Sequence, residues 1–438
     1  MATQFDPPSG TRDFLAADAE RREQAFDVIR SVFTRYGFEP LQTPAFERLD
    51  VLLGKYGDEG DKLVFKILRR GEHEASGEAD LALRYDLTVP LARVAAAYGS
   101  RLPPVYKRYA IGPVWRADRP GKGRYREFVQ CDLDTLGSAS VLADAEALCA
   151  QHDALAALGL PDFSIQLNSR RVLAGLLEAF GVKEELGAGV LTTLDKLDKL
   201  PPDAVIAELQ ERGLDPGAAA ELVTAMTGPD AVDRIRAALR PVEEGAAGLD
   251  EVDGVLSLVA PQIPAGRIAF TPRLVRGLSY YTGPIWEVVA PGGAGSIGSG
   301  GRYDHLIEQL GGPDTPATGS SLGVERILPL LPESIEAPRG RLDVAVTVMG
   351  DDFAGQSFGL AAAARAAELR SSVYLGGSGR LGRQLRWASD QGARWCLIYG
   401  SAEDEAGTVT VRDMRSGEQT AVSVGEIGAY LTRAAGSR

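Results

Sequence analysis

"VYKRYAIGPVWRADRPGKGRYREFVQCDLDTL", residues 105–136, sets a basic loop between two runs in which apolar and polar residues alternate. Side chains one position apart on a strand point to opposite faces, so residues 105–118 and 126–136 read as the two strands of an antiparallel hairpin. On the second run Val129, Cys131 and Leu133 form an apolar face suited to a core, whereas Phe128, Gln130, Asp132 and Asp134 point the other way. Arg116 and Asp118 are expected to share one face of the first. Such polar groups are costly to bury without partners. The hairpin therefore predicts an antiparallel sheet with a working surface on its open side.

Five basic residues, Arg116, Arg119, Lys122, Arg124 and Arg126, crowd into a chain whose formal net charge is −13. Four are arginines, whose planar fork matches phosphate oxygens. Arg276 and Arg326 add two more within glycine-flanked segments. A phosphate-bearing ligand fits this pattern, and a solvated basic loop is the plain alternative. These residues alone leave both open.

Working outward, residues 19–36 read as an amphipathic helix, with Phe26, Ile29, Phe33 and Tyr36 at helical spacing and Gly37 as its stop. Pro40 and Pro44 in FEPLQTPAFE favour an edge strand. The stretch LALRYDLTVPLARVAAAYG predicts strand, turn and helix, with Thr88 as N-cap and Pro90 in the first turn. Ala- and Leu-rich segments over 171–248 read as a helical insertion. Strands return in GRIAFTPRLVRG and PIWEVVAPGG, followed by a helix at DHLIEQLGG and a strand–helix unit at TGSSLGVERILPLL. Residues 331–340 read as a linker, and alternating strands and helices beyond it predict a separate small α/β domain over 341–438.

Composition narrows the function. The acidic balance, 47 Lys+Arg against 60 Asp+Glu, argues against indiscriminate adhesion to nucleic acid or anionic membrane. Three scattered cysteines and three histidines leave no disulfide framework, CxxC zinc site or histidine-rich metal cluster. The start MATQFDPPSG lacks the features of a signal peptide, and no apolar run reaches membrane-spanning length, so a soluble cytoplasmic protein is expected. GGAGSIG (292–298) contains G-x-G-x-x-G, but SGGRYD intervenes where a dinucleotide fingerprint would open a helix. A tight turn approaching a small ligand is the better reading. No G-x-x-x-x-G-K-[ST] occurs, so any ATP site is not a P-loop.

Several of these segments together resemble class II aminoacyl-tRNA synthetases of the histidyl family. VWRADRPGKGRYREFVQCDLDTLG resembles motif 2, GFEPLQTPAFE motif 1 and TGSSLGVERI motif 3. LVRGLSYYTGPIWEV resembles a histidyl signature peptide, and PPSGTRD and GRLGRQLRWASDQGARWCLIYG also match. The resemblance implies an α+β catalytic domain, its antiparallel sheet flanked by helices, split into residues 1–170 and 249–330 around the insertion. It also implies a C-terminal α/β anticodon-binding domain and a homodimer built through motif 1.

The implied reaction joins L-histidine and ATP, with Mg2+, into histidyl-adenylate and passes the histidyl group to tRNA(His). Two like charges ~4 Å apart repel by about 4 kcal/mol at an effective dielectric of ~20, so fixed cations must offset the repulsion between carboxylate and α-phosphate. By the match, Arg116 and Arg276 hold the α-phosphate from two sides and also contact the histidine. Arg124 and Arg326 hold the β- and γ-phosphates, Phe128 stacks on adenine, and Asp118 accepts from its amino group. Asp86, Leu87, Thr88 and Gln130 bind the α-amino end, and Asp134, Tyr280 and Tyr281 form the imidazole pocket. Arg119 and Lys122 reach toward the tRNA acceptor end.

Three departures stand out: Ser279 where the family usually has Asp, the polar GSSLG, and His305 after RYD. Two other functions compete, a non-catalytic regulatory subunit of histidine biosynthesis and a paralogue charging a non-tRNA acceptor.

Overall fold

The computed structural model describes residues 5–56, 60–71, 76–198, 200–275, 280–332, 342–377 and 379–436. The chain divides into two units, Met1–Ile335 and Glu336–Arg438. Strands of the first are β1 (Glu39–Pro40), β2 (Phe46–Arg48), β3 (Lys66–Leu68), β4 (Ala79–Leu83), β5 (Tyr106–Trp115) and β6 (Glu127–Leu136). They continue with β7 (Ser164–Ser169), β8 (Ile268–Phe270), β9 (Pro284–Val289), β10 (Gly298–Arg302) and β11 (Ala317–Gly323).

The expected hairpin is the β5–β6 pair, in register from Tyr106↔Leu136 to Trp115↔Glu127. It seeds an eight-stranded sheet in the order β1-β5-β6-β11-β10-β9-β7-β8. Pairings are antiparallel except at the edges, where β1 and β8 run parallel to their neighbours. Pro40, which has no N–H to give a ladder, lies on the edge strand as its chemistry requires. A second, three-stranded sheet, β2-β4-β3, precedes the hairpin.

Alternation along β6 sorts its side chains as the sequence suggests. Cys131 and Leu133 are fully buried against the helices Ala16–Arg35 and Val141–Ala157, among Ile29, Val32, Phe33 and Leu148. Ser140 caps the second helix by accepting from the Leu142 N–H. That helix also carries the buried amide of Gln151, which accepts from Trp286 Nε1 at 2.9 Å and donates to the Ser321 carbonyl at 2.9 Å. One polar side chain thus locks the helix to β9 and β11.

The insertion comprises the helices Arg170–Ala179, Glu184–Leu194, Pro202–Glu211, Pro216–Met226, Ala231–Leu239 and Glu243–Val259. Residue 248, the expected end of the insertion, falls inside the last of these. Glycines let that helix cross the first at backbone contact, since a Cβ on Gly175 would sit 2.3 Å from the Gly245 Cα. The apolar core of the insertion, including Val205, Leu222 and Ile235, is continuous with that beneath the sheet.

Two local expectations need correction. DHLIEQLGG makes a turn and a short 3-10 helix, Glu308–Leu310, because Gly311 takes a left-handed conformation (φ 79°) and ends it at once. The helix Thr88–Tyr98 is capped not by Thr88 but by Asp86, whose Oδ1 accepts from the Val89 N–H at 3.0 Å.

In the second unit, β12 (Val344–Val346), β13 (Ser371–Val373), β14 (Trp395–Ile398), β15 (Thr408–Asp413) and β16 (Gln419–Ser423) form a sheet in the order β13-β12-β14-β15-β16. The first three strands are parallel, as alternating strands and helices require, and the last two add antiparallel pairs. Val344 and Val346 enter a core with Leu360 and Leu431, while Ala345 and Cys396 face a smaller one with Ala388.

Close packing at the Gly-rich strand β10 makes a testable prediction. A Cβ on Gly300 would lie 2.3 Å from Trp286 Cζ2 and 2.6 Å from the Gly319 carbonyl oxygen, which is backbone and cannot swing away. Gly300→Ala should lower unfolding stability by about 1–3 kcal/mol. Gly99→Ala, which meets nothing within 4 Å, should change it by less than about 0.5 kcal/mol. Urea midpoints of the two variants check this.

Candidate functional site

The polar face of the sheet floors a cavity of about 470 Å3. Its walls come from the start of the Thr88 helix, the β5–β6 loop, the Tyr280–Tyr281 pair and the Gly-rich turn before β10. Asp86, Thr88, Arg116, Asp118, Arg124, Phe128, Gln130, Asp134, Tyr280, Tyr281 and Arg326 all line it, from four separate parts of the sequence.

One side is basic. Strand β5 ends at Trp115, so Arg116 and Asp118 leave the expected strand face and open the loop instead. The Arg116 Nε donates to the Tyr85 carbonyl at 3.1 Å, and its guanidinium carbon lies 4.2 Å from the Tyr85 ring and 5.2 Å from the Phe128 ring. Two aromatic faces therefore hold the cation in place while it faces the cavity. Paired hydrogen bonds between Gly121 and Arg124 pinch the loop into a tight turn. Arg124 stays exposed, 3.8 Å from Asp118. From the end of the sheet, Arg326 donates to the Gly123 carbonyl at 2.9 Å and the Ser296 carbonyl at 2.7 Å. It thereby ties the basic loop to the Gly-rich turn.

Arg126 behaves differently from its basic neighbours. It donates to the Asp118 carbonyl at 3.1 Å and the Ser9 carbonyl at 3.3 Å. Arg12, from the PPSGTRD segment, stacks on Tyr125 at 3.6 Å. The N-terminal segment thus braces the loop.

The other side is acidic. Asp134 Oδ1 accepts from the Tyr303 hydroxyl, and its Oδ2 lies 2.7 Å from Arg108 Nη2. Arg108 is fully buried and also donates to the Leu87 carbonyl at 3.0 Å. Gln130 donates to Ser321 Oγ at 2.8 Å, and the Tyr56 hydroxyl donates to Asp86 at 3.3 Å. Burial raises the carboxyl pKa of Asp86 and Asp134. It pushes Asp132 up to about 7, against the pull of Arg108 and with help from Asp134. Gly319 makes room for this arrangement, since a Cβ there would lie 2.1 Å from Asp134 Oδ1.

Buried polar atoms without partners among the described residues gather in this region: Asp86 Oδ2, Arg108 Nε and Nη1, Gln130 Oε1, Asp132 Oδ1 and Ser320 Oγ. Such groups normally find hydrogen bonds. Here a polar ligand would supply them.

Comparison with known proteins agrees with the geometry. Residues 10–327 match the family model of histidyl-tRNA synthetase, and residues 343–434 match an anticodon binding domain. The chain belongs to the histidyl-tRNA synthetase family. A histidine–tRNA ligase from Gloeobacter violaceus is 38% identical, with 96% of this chain and 97% of the relative covered. One from Leifsonia xyli subsp. xyli is 43% identical, covering 76% of this chain and 82% of the relative. The crystal structure of histidyl-tRNA synthetase from Nostoc sp. PCC 7120 superposes with a TM-score of 0.80 at 29% identity, covering 99% of this chain and 100% of that one.

Within this family frame, Leu87 does not line the cavity; its side chain is buried and its carbonyl serves Arg108. Arg119 and Lys122 are exposed on the loop, outside the cavity lining. Arg276 and Ser279 lie outside the described residues. His305 is exposed beside Glu308, at 3.7 Å, and does not line the cavity. Arg108, Tyr303, Glu287 and Glu325 take part in the site region without having been assigned a role from the sequence. Arg108 and Asp134 face each other across β5 and β6, a pairing that exact strand register would have exposed.

The buried Arg108–Asp134 pair yields a double-mutant prediction. Removing one partner of a buried pair strands the other charge and costs about 3–5 kcal/mol. Arg108→Met should destabilise by that order, and Arg108→Met combined with Asp134→Asn should recover part of the loss. A denaturation cycle measures the coupling, and purely additive effects would show that the pair is not energetically linked.

Proposed function

We propose that this cavity is where a histidine–tRNA ligase makes histidyl-adenylate before charging tRNA(His). The observation that supports it most is the convergence of arginines and carboxylates on opposite sides of one cavity, in a chain of this family. In the first step a histidine carboxylate oxygen bonds to the α-phosphorus of ATP, the bond to the β-phosphate bridging oxygen breaks, and pyrophosphate leaves. In the second, a hydroxyl at the tRNA 3′ end attacks the acyl carbon and AMP leaves. No side-chain nucleophile is needed. The chain's task is to hold two anions together and stabilise the charge that develops between them.

Arg116, already clamped between Tyr85 and Phe128, suits the α-phosphate because its guanidinium needs little reorganisation. Arg276 is proposed to act from the opposite side. Arg124 and Arg326 take the β- and γ-phosphates, Phe128 stacks on adenine, and Asp118 accepts from its amino group. Asp86, Thr88 and Gln130 bind the α-ammonium, with Leu87 contributing main chain alone. Asp134, Tyr280 and Tyr281 surround the imidazole.

Mg2+ would accompany the triphosphate and share its charge with Arg124 and Arg326. Among the described residues, the grouping of three side chains that could hold an ion is His305, Glu308 and Asp314, outside the cavity lining. Glu325 already bonds Arg22 and the Val129 N–H. A hydrated ion carried by phosphates fits this donor set, since Mg2+ commonly keeps its waters and takes few protein ligands.

Arg119 and Lys122, exposed on the loop, would meet the tRNA acceptor end, and the second unit the anticodon. A homodimer joined through the motif 1 segment and a cytoplasmic location complete the proposal. Among the described residues no helix is long and apolar enough to cross a membrane. A regulatory subunit is disfavoured by the retained arginines and the anticodon-binding match.

The test is ATP–pyrophosphate exchange with each amino acid in turn. Exchange should require histidine, and histidine-independent exchange or none at all would exclude the proposal. Arg116→Ala and Arg276→Ala should each lower exchange by about 10²–10³-fold while circular dichroism stays unchanged. A paired Arg119→Ala and Lys122→Ala variant should keep exchange near normal and lose tRNA charging, which a charging assay with purified tRNA(His) reads directly.

A further inference from the structure

We infer that Asp132 is a second imidazole-binding carboxylate, so that the pocket takes histidine together with one proton shared between the ring and the Asp132–Asp134 pair. This rests on the histidine-activating reading of the cavity and assigns a specificity-determining residue within it.

Asp132 and Asp134 are alternate residues of β6 on the face that floors the cavity. Their backbones are therefore about 6.6 Å apart along the strand. One five-membered ring with a hydrogen bond at each nitrogen bridges such a gap. Asp134 is fixed by Tyr303 and Arg108. Asp132 is only 2% exposed, hydrogen-bonds Ser321, and has no partner at Oδ1 among the described residues. A buried carboxylate oxygen left without a donor is destabilising, and a donor on the ligand would relieve it.

The polar stretch GSSLG fits the same scheme. Ser321 lies opposite Asp132 in the β6–β11 register. Its hydroxyl accepts from Gln130 and hydrogen-bonds Asp132. An apolar residue here would leave both unsupported. The departure from the family pattern and the extra carboxylate thus belong to one device.

Proton count follows from the donors. A neutral imidazole has one N–H, and two carboxylates gripping both nitrogens need two protons. Either an imidazolium lies between two carboxylates, or a neutral ring lies between the Asp134 carboxylate and an Asp132 carboxylic acid. The total is the same, and coupled groups of this kind titrate as one unit. The surroundings favour holding the extra proton. Asp134 on the same strand and Asp86 from the helix start bring negative charge, and Glu287 of β9 lines the same cavity. Arg108 on β5 opposes them, while Arg84 is committed to the Pro113 and Thr43 carbonyls. The Tyr281 hydroxyl and Cys131 thiol also interact with Asp132, and burial keeps both protonated. Burial alone already lifts Asp132 toward neutrality.

The test is calorimetric titration of the full-length protein with L-histidine at about pH 8, in two buffers of different ionisation heat. Linkage predicts uptake of about one proton per histidine bound, and a Kd that weakens by roughly tenfold per pH unit above about pH 7. In Asp132→Asn the amide can donate to a neutral ring without taking a proton, so uptake should fall to near zero and the pH dependence should flatten. Absent uptake in the wild type, or equal uptake in the variant, overturns the inference. Should Asp132→Asn fail to fold, wild-type binding of the two ring-N-methylated histidines decides. Both should bind at least about tenfold more weakly, because each leaves one carboxylate unpaired. A methylated form that binds as tightly as histidine removes the double grip. If the wild type binds no histidine, the activity reading fails, a different outcome from histidine bound without a proton.

Discussion

Arg108 lies at 0% exposure beneath the cavity, 2.7 Å from Asp134 and bonded to the Leu87 carbonyl. A cation in that position is tolerable because carboxylates surround it, and the carboxylates are tolerable because of the cation. The pair fixes the floor of the amino-acid side. It links β5 and β6 to the segment that starts the Thr88 helix, whose Asp86 caps that helix and lines the same cavity. The acidic side is therefore built into the sheet itself.

The basic side is built by a different principle. Arg116 and Arg124 lie on the β5–β6 loop and Arg326 on the short helix Val324–Ile327, and carbonyls and aromatic faces orient Arg116 and Arg326. Arg116 is pinned by Tyr85 and Phe128, and Arg326 by the Gly123 and Ser296 carbonyls. Carbonyl and aromatic contacts orient a guanidinium without neutralising it, so its positive charge stays available for phosphate. Arg126, counted with the same basic cluster in the sequence, bonds the Asp118 and Ser9 carbonyls and does not line the cavity. Charge density in a loop does not say which arginines face the cavity and which only brace the loop. Their placement in the fold does: Arg116, Arg124 and Arg326 line it.

Much of this was legible in residues 105–136. Alternation on β6 identified the core face and the polar face correctly, because a strand has one simple period and a buried neighbour on one side. The Gly-rich run was rightly separated from a dinucleotide fingerprint, since its turn lies between antiparallel strands β9 and β10. Other local readings failed where a single backbone conformation decided the outcome. Gly311 stopped a helix that composition favoured, and Asp86 took the capping role that Thr88 could chemically have filled. The role of Arg108 was hidden because a lone arginine in a strand has no sequence signal for burial.

The sequence by itself determined the chemistry on offer: arginines for phosphate, carboxylates and tyrosines for a small polar ligand, glycines for close approach, and the motif order that marks the family. Those properties belong to residue types and short spacings, which need no third dimension. Tertiary structure decided which of them meet. Ser321 came to face Asp132 through strand register, Arg108 to neutralise Asp134 across a hairpin, and Gly319 to leave space for that carboxylate. Each is a contact between residues distant in the chain, set by how the sheet closes around a polar face that must be shielded from water yet left open to its ligands.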